Sequence, residues 1–285
     1  MISYNLIASP GRLANQMFKY AALKGIAKNM GYDYCIPPSY PIIEKNKYLY
    51  KASVKYLVKR NKHNHKLFTP FNMKSLNREN IKYLKTSEMI KETSFEFDKS
   101  LFDNCPDNVD IWGFFQSEKY FLNVREELLN DFSFKNKISK KVKKVLKKYE
   151  NPTSVHIRRG DYLKNENHSV LDLKYYENAI SNFPEDQTFL IFTDDIEWVN
   201  KQSLFKKKNM IIMSKVFKEN KYYDLCAMTL CENHIIANSS FSWWGAWLSK
   251  QKKVFAPKNW FKNSKNYSQY NTKDLLPFDW IKIEN

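Results

Sequence analysis

The chain has 285 residues, long for one domain and comfortable for two. With 43% hydrophobic and 16% aromatic residues it buries a core, which excludes a disordered chain. Forty-seven Lys plus Arg against 30 Asp plus Glu leave a formal charge of +17, a field that attracts nucleic acid, acidic lipid or phosphate-bearing substrates without choosing among them.

Residues 4–8 read as a short buried strand closed by Ser9-Pro10-Gly11. Met17, Phe18, Ala21, Ala22, Ile26 and Met30 then follow the helical period, and Gly31 supplies a stop. Tyr34-Cys35-Ile36 reads as a second strand, completing the β-α-β opening of a parallel sheet. Residues 40–100 are weakly patterned. Val109–Phe115 reads as a strand, with a helix over 118–130. From Lys135 to Lys148 eight lysines alternate with apolar residues at helical spacing, a surface helix whose basic face could also lie on a membrane. This helix marks the expected boundary between domains 1–150 and 151–285.

Beyond it, Thr153–Ile157, Thr188–Phe192, Met210–Met213, His234–Ala237 and Val254–Ala256 read as strands. Helices near 175–183, 222–232 and 241–249 separate them, the alternation of a doubly wound α/β domain. Cys35, Cys105, Cys226 and Cys231 show neither CxxC pairing nor metal-ligand spacing. With no secretory signal and no run of 18 apolar residues, the expected setting is cytoplasmic, with peripheral contact at a membrane surface as the variant.

Three motifs follow predicted strands, where ligands of doubly wound sheets bind. His156-Ile157-Arg158-Arg159-Gly160-Asp161-Tyr162 places adjacent guanidiniums beside a glycine turn, suited to bidentate grip of a diphosphate, with His156 as a further donor and Asp161 to orient an arginine or accept a proton. A surface ion pair of an arginine with Asp161 is the plain structural alternative. In Asn238-Ser239-Ser240-Phe241-Ser242-Trp243-Trp244-Gly245-Ala246-Trp247 the polar residues form an N-cap whose backbone N–H groups can meet an anion; Trp247 reads as core. Gly11-Arg12-Leu13-Ala14-Asn15-Gln16 opens the first helix with amides that could hold a sugar. Thr193-Asp194-Asp195 carries acidic residues that often only cap the next helix.

HIRRGDY, NSSFSWWGAWL, GRLANQMFKYA and WGFFQSEKYF together resemble the α-1,2-fucosyltransferases of glycosyltransferase family 11, over essentially the whole chain. Where that family usually has a GGLGNQ loop, this chain has Arg12 and Ala14. The resemblance implies an α/β fold of GT-B type, two Rossmann-like domains facing a cleft, acceptor on the N-terminal side and GDP-fucose on the C-terminal side. It implies inverting transfer of L-fucose from GDP-β-L-fucose to O2 of a terminal galactose on a glycan. The residues carried over are Arg158, Arg159 and Asp161 for catalysis; His156, Arg158, Arg159, Asp194, Asn238, Ser239, Ser240 and Phe241 for the donor; and Arg12, Asn15 and Gln16 for the acceptor or cleft. No metal or other cofactor is expected, since the arginines supply the cations. Glu166 and Asp172 stand beside Asp161 as candidate bases. A basic nucleic-acid-binding protein, a fucosyltransferase of different linkage, a sulfotransferase or kinase and a noncatalytic carbohydrate-binding module are the rivals. No nucleic-acid signature and no GxxxxGK[ST] loop accompanies them.

Overall fold

The computed structural model describes residues 1–38, 65–86, 88–262 and 271–285. The chain divides into two compact units, Met1–Ser133 with Asn271–Pro277 and Phe134–Tyr270 with Phe278–Asn285.

Unit 1 contains β1 (Ile2–Ser3), α1 (Leu13–Met30), β2 (Tyr34–Cys35), β3 (Met89–Lys91), α2 (Lys99–Asn104), β4 (Asp110–Trp112) and α3 (Arg125–Asp131). Its strands form a four-stranded sheet in the order β2-β1-β4-β3, every pair parallel. The expected strand over 4–8 is instead a turn. Pairing stops at Ser3, and the Asp110 carboxylate accepts from Asn5 N at 2.7 Å, diverting the backbone from the ladder. Ile7 and Ala8 are buried all the same, so the apolar run marked burial and not extension. The expected helix over 118–130 is broken into 3₁₀ turns at Glu118–Tyr120 and Leu122–Val124 before α3 begins.

α1 is buried nearly all round, and Gly31 ends it in the left-handed conformation, φ 69°, donating to Ala27 O and Lys28 O. Gly25, inside the helix, exists for close approach: a Cβ there would meet Tyr120 O at 1.9 Å and Phe121 Cα at 2.8 Å. Lys24 is anchored beneath by Asp131 at 2.9 Å and Ser75 Oγ at 2.6 Å, with Tyr20 OH donating to the same carboxylate at 2.7 Å.

Unit 2 contains α4 (Asn136–Leu146), β5 (Thr153–Ile157), α5 (Leu173–Ile180), β6 (Phe189–Thr193), α6 (Ile196–Lys201), β7 (Met210–Ile212), α7 (Met213–Val216), α8 (Lys221–Met228), β8 (Asn233–Ile235), α9 (Ser240–Trp247), β9 (Lys253–Pro257) and β10 (Ile281–Ile283). Its six-stranded sheet runs β10-β9-β8-β5-β6-β7, all parallel. From β5 the chain proceeds outward to β7, then returns to β5's other side and proceeds to β10. That is the mononucleotide-binding order, with its reversal between β5 and β8. β5 and β6 are buried at every residue, as two covered faces require; β6 is a nearly continuous apolar run, while β5 carries Ser154 and His156, which are satisfied by His234 and Ser242.

The lysine-rich helix is an ordinary amphipathic surface helix. Val142 and Leu146 join the cluster of Leu190, Phe192, Met213 and Phe217, while the lysines from Lys135 to Lys148 are exposed. That packing puts α4 in unit 2, so the division falls at 133/134 and not at the boundary expected at 150; residues 271–277 also rejoin unit 1. All four cysteines are free and buried. Among the described residues no helix is long and apolar enough to cross a membrane.

Replacing Gly25 by Ala should therefore destabilise the protein despite alanine's better helix propensity of about 1 kcal/mol. Overpacking against backbone that cannot rotate away costs roughly 1–3 kcal/mol. Urea unfolding measures it; a neutral or stabilised variant would show that the 3₁₀ turn at Tyr120 yields freely.

Candidate functional site

The reversal of strand order opens a crevice at the carboxyl ends of β5 and β8. β5 delivers Arg158, Arg159 and Gly160 there; β8 delivers Asn238, Ser239 and the start of α9. The two most informative motifs of the sequence thus flank one topological switch point.

Asp194, one residue past β6, organises the arginine loop. Its Oδ1 accepts from Arg159 N at 2.9 Å and Gly160 N at 3.2 Å, and its Oδ2 pairs with Arg158 Nη1 at 2.5 Å. Gly160 is glycine for this reason: a Cβ would meet Asp194 Oδ2 at 2.6 Å. Asp195 divides its oxygens likewise. Oδ1 caps α6 through Trp198 N at 3.0 Å, and Oδ2 holds Arg159 Nε at 3.1 Å. The capping role open to these acidic residues is real for Asp195, while Asp194 serves the loop.

The two arginines consequently differ. Both terminal nitrogens of Arg158 are engaged, Nη1 by Asp194 and Nη2 by Asp161, and the guanidinium lies 5.3 Å from the Tyr162 ring centroid. Arg159 is held through Nε alone among the described residues, its guanidinium 4.0 Å from the Trp198 ring centroid. Clamped by a carboxylate at one edge and an indole on its face, Arg159 keeps its Nη fork outside both contacts, the geometry with which a guanidinium grips an anion.

Across the crevice, Ser239 caps α9 by accepting from Phe241 N. Ser240 and Phe241 are partly exposed on the first turn, where helix N–H groups favour negative charge. Asn238 is turned inward: its side-chain amide donates to Ser169 O and Trp260 O, each at 3.0 Å, and its backbone carbonyl accepts from Tyr162 OH at 2.9 Å. The latter bond joins the two motifs directly. His156 joins them again, Nδ1 to Ser242 Oγ at 2.8 Å. Burial, with the Arg158 charge adding to it, pulls His156 down to about 3, so the ring is neutral. Trp243, Trp244 and Trp247 are fully buried and pack on one another, so they are core.

Of the candidate bases, Asp172 caps α5 through Tyr175 N at 3.0 Å and is spent there. Glu166 is exposed. In unit 1, Gln16 is buried and committed, accepting from Lys66 N at 2.6 Å and donating to Gly11 O at 3.4 Å. Asn15 Oδ1 accepts from Gln116 Nε2 at 3.1 Å. Arg12 occupies the N-cap of α1 with its side chain exposed and making no capping bond. Sequence reasoning missed Tyr162, Trp198, Ser242 and Gln116. Tyr162, Ser242 and Gln116 lay inside the motifs that carry the resemblance; Trp198 becomes visible only through its partner Arg159.

A parallel sheet in mononucleotide-binding order, with a clamped arginine pair at its switch point, defines a doubly wound α/β protein. The profile of glycosyl transferase family 11 matches residues 2–284, and the chain belongs to that family. It is 31% identical to an α-1,2-colitosyltransferase of Escherichia coli over 96% of this chain and 97% of the relative. It is 37% identical to the O-antigen biosynthesis glycosyltransferase WbnK of Escherichia coli over 50% of this chain and 47% of WbnK. The galactoside α-(1,2)-fucosyltransferase 2 of Sus scrofa is 19% identical over 96% of this chain and 78% of its own length. The solved fucosyltransferase NodZ from Bradyrhizobium aligns at a TM-score of 0.46 and 12% identity, over 87% of this chain and 93% of NodZ.

Neutral buried histidines set an acid limit on the fold. His234, bonded to Ser154 Oγ at 2.7 Å and Ser249 Oγ at 2.8 Å, is pulled down to about 3 by burial, as His156 is. An unfolded chain protonates these rings near pH ~6.5, the folded chain only near 3. Their contribution is full above pH ~6.5 and falls with decreasing pH by about 1.4 kcal/mol per unit per ring. Urea unfolding at stepped pH should show that slope, and His156→Asn should reduce it by one ring's share; an unchanged slope would mean that His156 is protonated in the fold.

Proposed function

We propose that this family 11 glycosyltransferase moves L-fucose from GDP-β-L-fucose to O2 of a terminal galactose on a glycan, with inversion and without a metal. The observation that carries the reading is the Arg159 fork, held by Asp195 and Trp198 and presented at the switch point beside the first turn of α9.

In the proposed reaction the acceptor hydroxyl oxygen bonds to the anomeric carbon as the bond from that carbon to the diphosphate breaks. The electron pair leaves with GDP and the hydroxyl proton passes to a base. Negative charge therefore grows on the leaving diphosphate, where preorganised donors are worth most. Arg159 is the principal grip. Arg158 is the second, and Asp161, 46% exposed at its side chain, is the partner that a phosphate oxygen replaces. Asp161 thus acts through Arg158 as a positioning residue, and Asp194 does so through the loop backbone. The N-terminus of α9 at Ser239–Phe241 adds the positive end of its dipole, with Ser239 N already donating to Ala237 O at 2.7 Å and Phe241 N to the Ser239 hydroxyl, and neutral His156 fixes Ser242 beneath it.

The colitosyltransferase relative supports a second donor, since colitose is fucose without the 3-hydroxyl. A donor site that hydrogen-bonds that hydroxyl rejects the deoxy sugar strongly, whereas an apolar one does not. The α-1,2 linkage in the names of both the colitosyltransferase and the porcine relative supports attack by a 2-hydroxyl.

GDP at ~100-fold excess over Kd should stabilise the protein by about 2.7 kcal/mol, while UDP leaves the melt unchanged. Arg159→Ala should abolish most of the GDP shift and lower kcat by ~10²–10³ while remaining folded. Arg159→Lys should be poorly rescued, because a point charge replaces a planar fork. Near-normal kcat and GDP-fucose KM in folded Arg159→Ala and Arg158→Ala proteins would place the donor elsewhere.

With lactose or N-acetyllactosamine as acceptor, product NMR should show fucose on O2 of galactose, and turnover should persist in EDTA. Attachment to N-acetylglucosamine would refute the linkage. Loss in EDTA reversed by Mg²⁺ or Mn²⁺ would refute metal independence.

A further inference from the structure

Unit 1 has a switch point of its own. In the order β2-β1-β4-β3, β1 leads through α1 to one side, and β4 lies against its other side. The loops after β1 and β4 diverge there, the position at which open parallel sheets bind ligands. The first loop leads into α1, whose first turn carries Asn15, the second contains Gln116, and their side-chain amides meet at 3.1 Å.

Both amides are held from behind. Gly11, at φ 112°, packs on Asn15 so closely that a Cβ would stand 2.7 Å from its side chain. The 113–116 loop is clamped by Glu92, just past β3, whose Oε2 accepts from Phe114 N at 2.6 Å and Oε1 from Phe115 N at 2.9 Å. Tyr4 OH accepts from Gly113 N at 2.7 Å, and a Cβ on Gly113 would stand 2.4 Å from Glu92 Cβ. Phe115 keeps a left-handed φ of 51°, a conformation unfavourable to a bulky residue and retained only where its surroundings enforce it. Beneath the loop the Lys19 ammonium, fully buried, donates to Pro10 O at 2.7 Å and lies 5.7 Å from the Phe114 ring centroid.

The chemistry here differs from that of the arginine loop. Lys19 and Glu92 offset one another, and Asn15 with the buried Gln116, bonded through one donor and one acceptor, carries amide functions without charge, which suits a neutral polyhydroxyl ligand and not a phosphate. We propose that Asn15 and Gln116 form a subsite for the hydroxyls of the galactoside acceptor, and that Glu92 is the positioning residue that holds Gln116 in register. This deepens the acceptor side of the proposed function and rests on it. It also transfers the acceptor role from Gln16, which is committed to Lys66 and Gly11, to Gln116.

The clamp is sensitive to protonation. Burial pushes the Glu92 carboxyl up to about 7, against the N–H groups of Phe114 and Phe115 and the charge of Lys19, which burial pulls down to about 7 in turn. The other groups facing it are Tyr4, after β1, and Tyr120, in the first 3₁₀ turn, both shifted upward chiefly by burial. A protonated carboxyl turns one acceptor oxygen into a donor facing an N–H, so the clamp is intact above pH ~7 and loosens as pH falls through that value.

Saturation-transfer NMR with lactose, on the full chain, tests this together with GDP thermal shifts on the same samples. Wild type should bind lactose, more weakly below pH ~7. Glu92→Gln and Gln116→Ala should each weaken lactose about tenfold with the GDP shift unchanged, and Glu92→Gln should also remove the acid fall. No lactose signal from wild type, or undiminished lactose binding in both folded variants, would overturn the subsite. Failure of the donor reading is separate, since it appears as a missing GDP shift in wild type.

Discussion

The Asp194 carboxylate is the contact on which the proposed donor site depends. A single side chain at the end of β6 takes the backbone N–H groups of Arg159 and Gly160 and one nitrogen of Arg158, so the strand next to β5 dictates the path of the β5 loop. Two adjacent arginines on a free loop would repel each other and fluctuate. Here the carboxylates of Asp194 and Asp195 fix them before any ligand arrives, and fixed donors need no reorganisation when charge develops. Three carboxylates around two guanidiniums hold them in place and leave the Nη fork of Arg159 outside those contacts.

The same economy links the two sides of the crevice. Tyr162 reaches the Asn238 carbonyl and His156 reaches Ser242, so the arginine loop and the cap of α9 behave as one framework. Their supports are neutral or buried, and the tryptophans behind α9 give it a rigid base. The exposed lysines of α4 contribute to the field of the whole chain without entering this framework.

The units use one geometric principle for different chemistry. Each is an all-parallel α/β layer with a reversal of strand order, and each gathers its polar residues at the carboxyl ends of the flanking strands. In unit 2 the gathered groups are guanidiniums and a helix terminus, suited to a phosphate. In unit 1 they are amides over a self-compensating Lys19 and Glu92, suited to a neutral sugar.

The sequence by itself determined the parallel α/β class, the helix α1 and the strand that follows it, most strands of unit 2 and the placing of HIRRGDY and NSSFSWW at strand ends. Those features are local: unbroken apolar runs, helical spacing, a glycine stop at Gly31 and cap residues at Ser239 act within a few residues. Tertiary structure decided what was not local. Tyr4–Ala8 lost its strand to a bond from a carboxylate distant in sequence, and the helix over 118–130 broke where Tyr120 meets Gly25. α4 was assigned by the core its apolar face entered. The inequality of Arg158 and Arg159 depended on where Asp194, Asp195 and Trp198 came to rest, and the proposed role of Gln116 in place of Gln16 rests on the claim that the backbone of Lys66 lays to the Gln16 amide. A linear pattern records which groups a chain carries; only the fold decides which of them have already spent their hydrogen bonds on one another.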